Sequence, residues 1–269
     1  MVKAICQFNG LLQSSTVDIR PSTNEFTFKN QIFQANDGQL QIPVSGTIYG
    51  TALNYKGELA AMGDNLKEAP YNAPPIAPVL YIKPINTLSP HLAPIPLPND
   101  EKELQVGAAL GIVFKKTATQ VKLESALDYV AGFTIVNDMS LPHESIHRPA
   151  IKQKARDGFC PIGPWIVHAD EISEPDNLDI TVYVNNELVQ KNSTRNLIRN
   201  TKQLIEDVTE FMTLSEGDVL LVGTPENPPL VKEGDEIRIN IEGMGALVNT
   251  VVSEKEASLL SGKTKEEMQ

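Results

Sequence analysis

The chain has 269 residues, of which 41% are hydrophobic and 21% charged, a balance typical of globular proteins that excludes global disorder. Its 34 acidic and 23 basic residues give a formal net charge of −11. This argues against nucleic acid as a partner, because binding phosphates needs clustered lysine and arginine. Two cysteines are too few for a disulfide framework. The N-terminus lacks a signal-peptide pattern and no apolar run is long enough to cross a bilayer, so we expect a cytoplasmic protein without membrane contacts.

In the first third of the chain, short polar–apolar alternation predicts strands, and residues 1–45 are expected to form a small all-β N-terminal unit. Its clearest strands are 25–28 and 39–44. Beyond this unit, 57–68 predicts one short helix. A proline-dense stretch then follows, and it surrounds a single strand at 79–82.

In the rest of the chain, strands again outnumber helices. The apolar run 108–114 predicts a buried strand, and 178–190 predicts a hairpin that turns at 185–186, where asparagine tolerates positive φ. The strongest helical pattern spans 194–212, with Ser193 as the N-cap. Further elements are a helical segment at 123–131 and strands at 133–136, 219–222, 236–241 and 247–252. Because helices and strands do not alternate regularly, the sequence predicts a strand-dominated α+β fold rather than a doubly wound parallel sheet.

Two groups of potential metal ligands are interpreted as ordinary surface sequence. Residues 143–147 match the HExxH motif of zinc proteases, but flanking prolines leave less than two turns of helix and no third ligand is evident. We therefore expect no tightly bound zinc there. Glu101 and Glu103 share one face of an extended segment and could hold a hard cation, although a solvated loop is the favoured interpretation.

The densest basic stretch of this acidic chain contains Arg148, Lys154 and Arg156. The last two alternate, so an extended chain would direct both to the same side, as in a pocket for a carboxylate substrate. A solvent-exposed basic loop is the alternative. Lys83 at the end of an apolar strand and Thr224 at a strand-to-turn junction are further candidates for contacts with an anion.

Several short segments, in order, resemble the fumarylacetoacetate hydrolase superfamily. They are 46–50, 53–55, 81–84, 128–134, 137–138, 156–159 and 223–225. The resemblance implies a mixed β-sandwich roll over residues 46–253, preceded by the small β unit and followed by a charged tail at 254–269. It also implies a dimer and a divalent metal, commonly Mg²⁺. No glycine-rich dinucleotide motif or phosphate-binding loop is present, so we expect no nucleotide cofactor.

The segment 148–163 narrows the resemblance to the first half of the bifunctional isomerase/decarboxylases of homoprotocatechuate (4-hydroxyphenylacetate) meta-cleavage. These enzymes act on small di- and tricarboxylates, 2-hydroxyhepta-2,4-diene-1,7-dioate and 5-oxopent-3-ene-1,2,5-tricarboxylate. The resemblance thus implies isomerase or decarboxylase activity on such acids.

Some matched positions depart from the family pattern. Metal-binding members carry a Glu-x-Glu pair and a later Asp. The Asp matches Asp138, whereas the two Glu positions match Gly107 and Ala109, which cannot ligate. Where hydrolytic and decarboxylating members place a His followed by a Glu, this chain has Glu58 and then Ala61. The resemblance therefore leaves Asp138 as the one matched metal ligand.

These departures favour isomerisation over decarboxylation, because decarboxylating a 2-oxo acid needs the electron sink that a chelated metal supplies. In this interpretation Asp138 or Glu58 moves the proton and Lys154 stabilises the enolate. The remaining cationic and hydroxyl candidates bind the substrate carboxylates; they are Lys83, Arg156, Thr224 and Arg148.

Two alternatives stay open. The chain could be a metal-depleted structural subunit that pairs with a metal-competent paralogue instead of forming a homodimer. A C–C bond hydrolase of the acylpyruvate type is a weaker alternative, because the His that would activate water is replaced.

Overall fold

Strands account for most of the regular structure in the computed structural model, which describes residues 1–68, 72–143 and 150–266. The first nine strands are β1 (Val2–Cys6), β2 (Ser15–Arg20), β3 (Glu25–Phe28), β4 (Gln31–Gln34), β5 (Ile48–Ala52), β6 (Val79–Lys83), β7 (Leu88–Ser89), β8 (Ile95–Leu97) and β9 (Leu104–Gln105). The next nine are β10 (Ala108–Phe114), β11 (Val130–Asn137), β12 (Cys160–His168), β13 (Asp179–Val184), β14 (Glu187–Ser193), β15 (Val219–Leu221), β16 (Leu230–Val231), β17 (Glu236–Ile241) and β18 (Gly245–Ser253). The α-helices are α1 (Lys56–Met62), α2 (Ile151–Lys154), α3 (Thr201–Phe211) and α4 (Glu254–Glu266).

The larger sheet has the strand order β4-β3-β2-β1-β12-β11-β10-β15-β5-β6, and β7 adds to β12. Antiparallel pairing of β1 with β12, with Ala4 opposite Val167, makes the N-terminal strands continuous with the rest of the sheet. A separate N-terminal domain ending near residue 45 stays a prediction. At the other end, β15 pairs with β5 in parallel and β6 forms an edge.

The second sheet has the order β14-β13-β17-β18-β8 and a short ladder joins β16 to β9. Its hairpin turns at Asn185 and Asn186, which both have positive φ, as the sequence predicts. Side chains from this sheet share one large hydrophobic cluster with β10 and β11, so the two sheets enclose the main core. The prediction of a mixed, strand-dominated α+β fold is confirmed.

The strand β10 is buried on both faces, and this explains its unbroken apolar sequence. Successive side chains of a strand point to opposite faces. Leu110 and Ile112 accordingly join the main core, whereas Ala109 and Val113 join a smaller cluster on the other face of the sheet. That second face leads to the candidate active site.

The predicted helix over 194–212 is too long. Ser193 caps only a single 3-10 turn, Thr194–Asn196, and Leu197 then adopts an extended conformation that pairs with Tyr55. The α-helix begins at Thr201, behind Asn200, whose side chain accepts a hydrogen bond from the backbone of Gln203 at 2.9 Å. A tertiary contact therefore overrides the helical periodicity of the first turns.

Three other local predictions need correction. The helix over 57–68 divides at Gly63, which has a φ of 51°, into α1 and a 3-10 turn. The strand over 39–44 reduces to one bridge at Leu40 beside Phe8, and Pro43 cannot donate to a ladder. In the segment 123–131, Leu123–Tyr129 forms a 3-10 helix rather than an α-helix, and β11 already begins at Val130. Across the described residues, none of the helices combines the length and the apolar character that crossing a bilayer requires.

Candidate active site

Asp138 lies directly after β11, at the point where two central strands of the larger sheet end. Its backbone N–H donates to the carbonyl of Gly107 at 2.8 Å, and the side chain of Asn137 accepts from the N–H of Gly107 at 3.1 Å. These bonds fix the backbone on both sides of the carboxylate. Asp138 is only 1% exposed, so its charge needs partners inside the protein.

Two lysines supply those partners. The Nζ atom of Lys83, at the end of β6, lies 3.0 Å from Oδ1 of Asp138, and that of Lys154, at the end of α2, lies 2.8 Å from Oδ2. The Lys83 side chain is completely buried and also donates to the carbonyls of Met139 at 3.1 Å and Lys154 at 2.7 Å. The Lys154 side chain keeps 20% of its surface exposed, so it can reach a ligand.

Tyr81 completes the cluster. It is two residues before Lys83 on β6, and its hydroxyl donates to Oδ2 of Asp138. The Nζ of Lys154 lies 4.8 Å from the centre of its ring. The ring packs over Gly50 of β5, where a Cβ atom would overlap it. The small residue on the neighbouring strand therefore makes room for the phenol.

The charges explain the protonation of this cluster. Burial alone would raise the pKa of Asp138, but the ammonium groups of Lys154 and Lys83 and the hydrogen bonds from Lys154 and Tyr81 hold it well below its usual value. Burial and the nearby carboxylate raise the pKa of Tyr81 well above its usual value, so it remains a hydrogen-bond donor. Two ammonium groups against one carboxylate leave an excess of positive charge, which attracts anions.

Glu58 is a half-buried carboxyl group in the first turn of α1. Burial raises its pKa to about 7; the backbone N–H of Leu53 and the charge of Lys154 lower it, and the charges of Glu226 and Asp138 raise it. The electrostatic effects of Lys154 and Asp138 indicate that Glu58 faces the same cluster. A carboxyl group with this pKa can both accept and donate a proton near neutrality.

The structure describes two of the other three predicted site residues, Arg156 and Thr224. Arg156 donates from Nε to the carbonyl of Lys152 at 3.0 Å and lines a cavity formed with Phe159 and α4, with no contact to Asp138 among the described residues. Thr224 is half-buried and follows Gly223, which packs against Tyr55. Arg148 lies outside the described residues.

The structure describes part of the two candidate metal-binding motifs, the Glu101–Glu103 pair and the HExxH match. Glu101 and Glu103 belong to the loop between β8 and β9, and Glu103 is exposed. In the HExxH match, the Nδ1 atom of His143 lies 3.0 Å from the carbonyl of Leu141, and residues 144–147 lie outside the described residues. Within residues 1–68, 72–143 and 150–266, no three His, Cys, Asp or Glu side chains converge as a metal-binding group.

Sequence reasoning missed two residues that the structure places here, Tyr81 and Glu226. The period of a strand puts Tyr81 on the same face as Lys83, so that signal was available. Glu226 comes from a distant loop, and no local pattern connects it with Glu58.

Comparison with known proteins agrees with this architecture. Residues 47–252 match the family model described as fumarylacetoacetate (FAA) hydrolase C-terminal. The chain belongs to the fumarylacetoacetate hydrolase family. The family match begins just before β5, so it leaves out β1 to β4 of the larger sheet, and it includes Asp138, Lys83, Lys154 and Glu58.

One curated relative and two solved structures are similar to this family member. The 4-hydroxyphenylacetate degradation bifunctional isomerase/decarboxylase of Escherichia coli is 43% identical over 80% of this chain and 49% of its own length, so the chain spans about half of that relative. The structure of a 5-carboxymethyl-2-hydroxymuconate delta-isomerase from Mycobacterium smegmatis has a TM-score of 0.75 and 27% identity, covering 93% of this chain and 98% of the other. A maleylpyruvate hydrolase from Sphingobium, in complex with manganese and pyruvate, shares the fold with a TM-score of 0.73, 24% identity and coverage of 93% and 99%.

Members of the family bind divalent metals, but the residues of this member do not fit one. A Cβ atom at Gly107 would overlap the carbonyl oxygen of Asp138, so this backbone leaves no room for a ligating side chain there. Ala109 packs in the apolar cluster on the same face. Both oxygens of Asp138 are already paired with lysine ammonium groups, and a hard cation prefers several free oxygen ligands.

Proposed function

We propose that this chain isomerises a small unsaturated 2-hydroxy or 2-oxo di- or tricarboxylate of homoprotocatechuate catabolism, with 2-hydroxyhepta-2,4-diene-1,7-dioate as the first candidate. The observation that carries the proposal is the pair of lysines on Asp138, with a carboxyl group of raised pKa beside them. The isomerase names of the relative from Escherichia coli and of the Mycobacterium smegmatis structure support it. We further propose that the protein acts in the cytoplasm.

Substrate binding rests on the excess positive charge. Lys154 is partly exposed, so its ammonium group can contact a substrate carboxylate or the oxygen that becomes an enolate. Lys83 is fully buried, and its role is to hold Asp138 and the backbone of Lys154 in place. Donors fixed before the reaction stabilise developing negative charge without reorganising, which is the basis of oxyanion stabilisation.

Proton transfer rests on Glu58. In the proposed reaction the ionised carboxylate takes the proton of the substrate's 2-hydroxyl group, and the negative charge spreads over a dienolate that Lys154 stabilises. The same proton then returns to a carbon of the diene, which gives the 2-oxo isomer and restores the carboxylate. No bond between heavy atoms breaks. Positioned acid–base groups typically contribute about 10²–10⁴-fold to such steps, so the reaction is feasible without a metal.

A second candidate function is a structural one. Gly107 and the paired oxygens of Asp138 also suit a subunit that supports a metal-competent paralogue, and the chain corresponds to half of the bifunctional relative. In that case the protein pairs with the paralogue instead of forming a homodimer.

The deciding experiment follows the ultraviolet absorbance of the diene acid in the presence of EDTA. We expect the wild type to consume the diene without releasing CO₂, and Glu58→Gln and Lys154→Met to lose most of this activity. Glu103→Gln, an exposed carboxyl group in a loop, is the control and keeps the wild-type rate. Absence of turnover, or turnover only after Mg²⁺ is added, would reject the metal-independent isomerase. A rise in the rate or stability of a co-expressed paralogue would then support the structural subunit.

A further inference from the structure

Three oxygen atoms near α1 are buried without a hydrogen-bond partner among the described residues. They are the hydroxyl of Tyr55, Oε2 of Glu58 and Oε2 of Glu226. Buried polar atoms are nearly always paired, so an unpaired group of this kind indicates a functional constraint. Two of the three atoms belong to carboxyl groups, and these two groups act on each other electrostatically.

The carboxyl group of Glu226 is held firmly at this place. Its side chain folds over Gly57, the residue before Glu58, so closely that a Cβ atom at Gly57 would overlap the carboxyl group. Asn192 donates to Oε1 of Glu226 at 3.0 Å, and Gln190 donates to its backbone carbonyl at 2.7 Å. Both donors come from β14, so a rigid strand of the second sheet fixes the glutamate.

The charged and titratable groups around Glu58 come from four elements. Tyr55 precedes α1, Lys154 ends α2, Asp138 follows β11, and Glu226 lies in the loop after β15. Lys154 is already paired with Asp138 at 2.8 Å. The negative charge of Glu226 raises the pKa of Glu58, against the opposite effect of Lys154.

We infer that Glu226 is the positioning partner of Glu58, and that its negative charge, held over Gly57, raises the proton affinity of Glu58 and so equips it for proton transfer. The inference rests on the proposed isomerase function of the same site. Two neighbouring buried carboxyl groups rarely ionise together, because each negative charge disfavours the other. Asn192 donates to Oε1 of Glu226, so the carboxyl group acts on Glu58 from a fixed position.

The test is a titration that does not depend on turnover. The side-chain carboxyl carbons are labelled with ¹³C and followed by NMR from pH 4 to 9, and Glu58→Gln assigns the signal. In the wild type we expect Glu58 to titrate near 7. Glu226→Gln and Glu226→Ala both remove the neighbouring charge, so each should lower the pKa of Glu58 by about one unit. Glu233→Gln, an exposed carboxyl in the next turn, should leave it unchanged.

The isomerase pH profile adds a second readout. The acidic limb of kcat/KM should move to lower pH in Glu226→Gln, by the same amount as the NMR titration, because it reports the ionisation of Glu58. A Glu58 signal that titrates at the same pH in the wild type and in both Glu226 variants would overturn the inference. An inactive wild type with a shifted titration would reject only the isomerase and leave the pair standing.

Discussion

Replacing Lys83 by methionine tests how far one buried ammonium group holds the site together. At 3.0 Å and an effective dielectric constant of about 20, its attraction to the Asp138 carboxylate is about 5.5 kcal/mol. The ammonium group also donates to two backbone carbonyls. Lys154 would still pair with Asp138, so we expect Lys83→Met to lower the free energy of unfolding by about 3–4 kcal/mol, as when one partner of a buried pair is lost.

The assay is urea unfolding at pH 7, followed by the fluorescence of Trp165, the one tryptophan of the chain, which is buried. Lys191→Met is the control, because its ion pair with Asp179 is exposed and should contribute less than about 1 kcal/mol. The pKa of Asp138 is depressed in the folded state, so the stability from its ionised form is present above its ordinary pKa of 3.8 and is lost as the pH falls below it.

Two outcomes would refute this reasoning. One is a Lys83→Met variant within about 1 kcal/mol of the wild type, the range expected of an exposed pair. The other is a double variant, Lys83→Met with Asp138→Asn, that is no more stable than Lys83→Met alone. Removing the charge of Asp138 as well should recover part of the loss, because part of the penalty comes from leaving the buried carboxylate with one ammonium partner instead of two.

Lys154→Ala should weaken substrate binding, seen as a higher KM, with little effect on folding. Arg156→Ala, in a different cavity, is the control and should leave KM unchanged. Steady-state kinetics test this prediction, and an unchanged KM and kcat for Lys154→Ala would place Lys154 outside the site. Cys6 and Cys160 should not react with Ellman's reagent at pH 8 in the native state and should react after unfolding, because burial raises both thiol pKa values to about 12. The stability of Glu58→Gln relative to the wild type should increase as the pH rises. Between pH 4.5 and 7 the folded wild type binds a proton that the unfolded chain releases, so its stability falls over this range, by about 2 kcal/mol for this half-buried group. The free energies of unfolding of both proteins are measured with urea at pH 5 and pH 8. An equal change between the two pH values in the wild type and in Glu58→Gln would contradict the raised pKa.

Much of the fold follows from local patterns in the sequence. The unbroken apolar run predicts β10 with its observed bounds, and the paired asparagines place the turn of the β13–β14 hairpin, although β14 continues to Ser193, beyond the predicted end at 190. Local signals fail where distant segments decide the conformation. Leu197 has helical spacing, but its bridge to Tyr55 holds the chain extended, and the helix starts only at Thr201.

In the candidate site, too, local signals predict some residues, whereas contacts between distant segments decide the others. Lys83 and Asp138 stand in motifs that can be matched to a family, and the structure brings them within 3.0 Å of each other. Alternate spacing predicts that Arg156 and Lys154 point to the same side, but the segment is a helical turn followed by a bend, so Lys154 contacts Asp138 and Arg156 contacts the carbonyl of Lys152. Glu226 lies 168 positions beyond Glu58, and only the folded chain reveals their proximity.

The contact between Gly107 and the carbonyl of Asp138 has a consequence for the history and the engineering of this scaffold. Metal chemistry cannot be regained here by exchanging side chains alone, because a glutamate at Gly107 must first displace the main chain of the opposite strand. We therefore expect a variant selected for cation binding to carry changes in the turn after β11 as well as a new side chain at position 107.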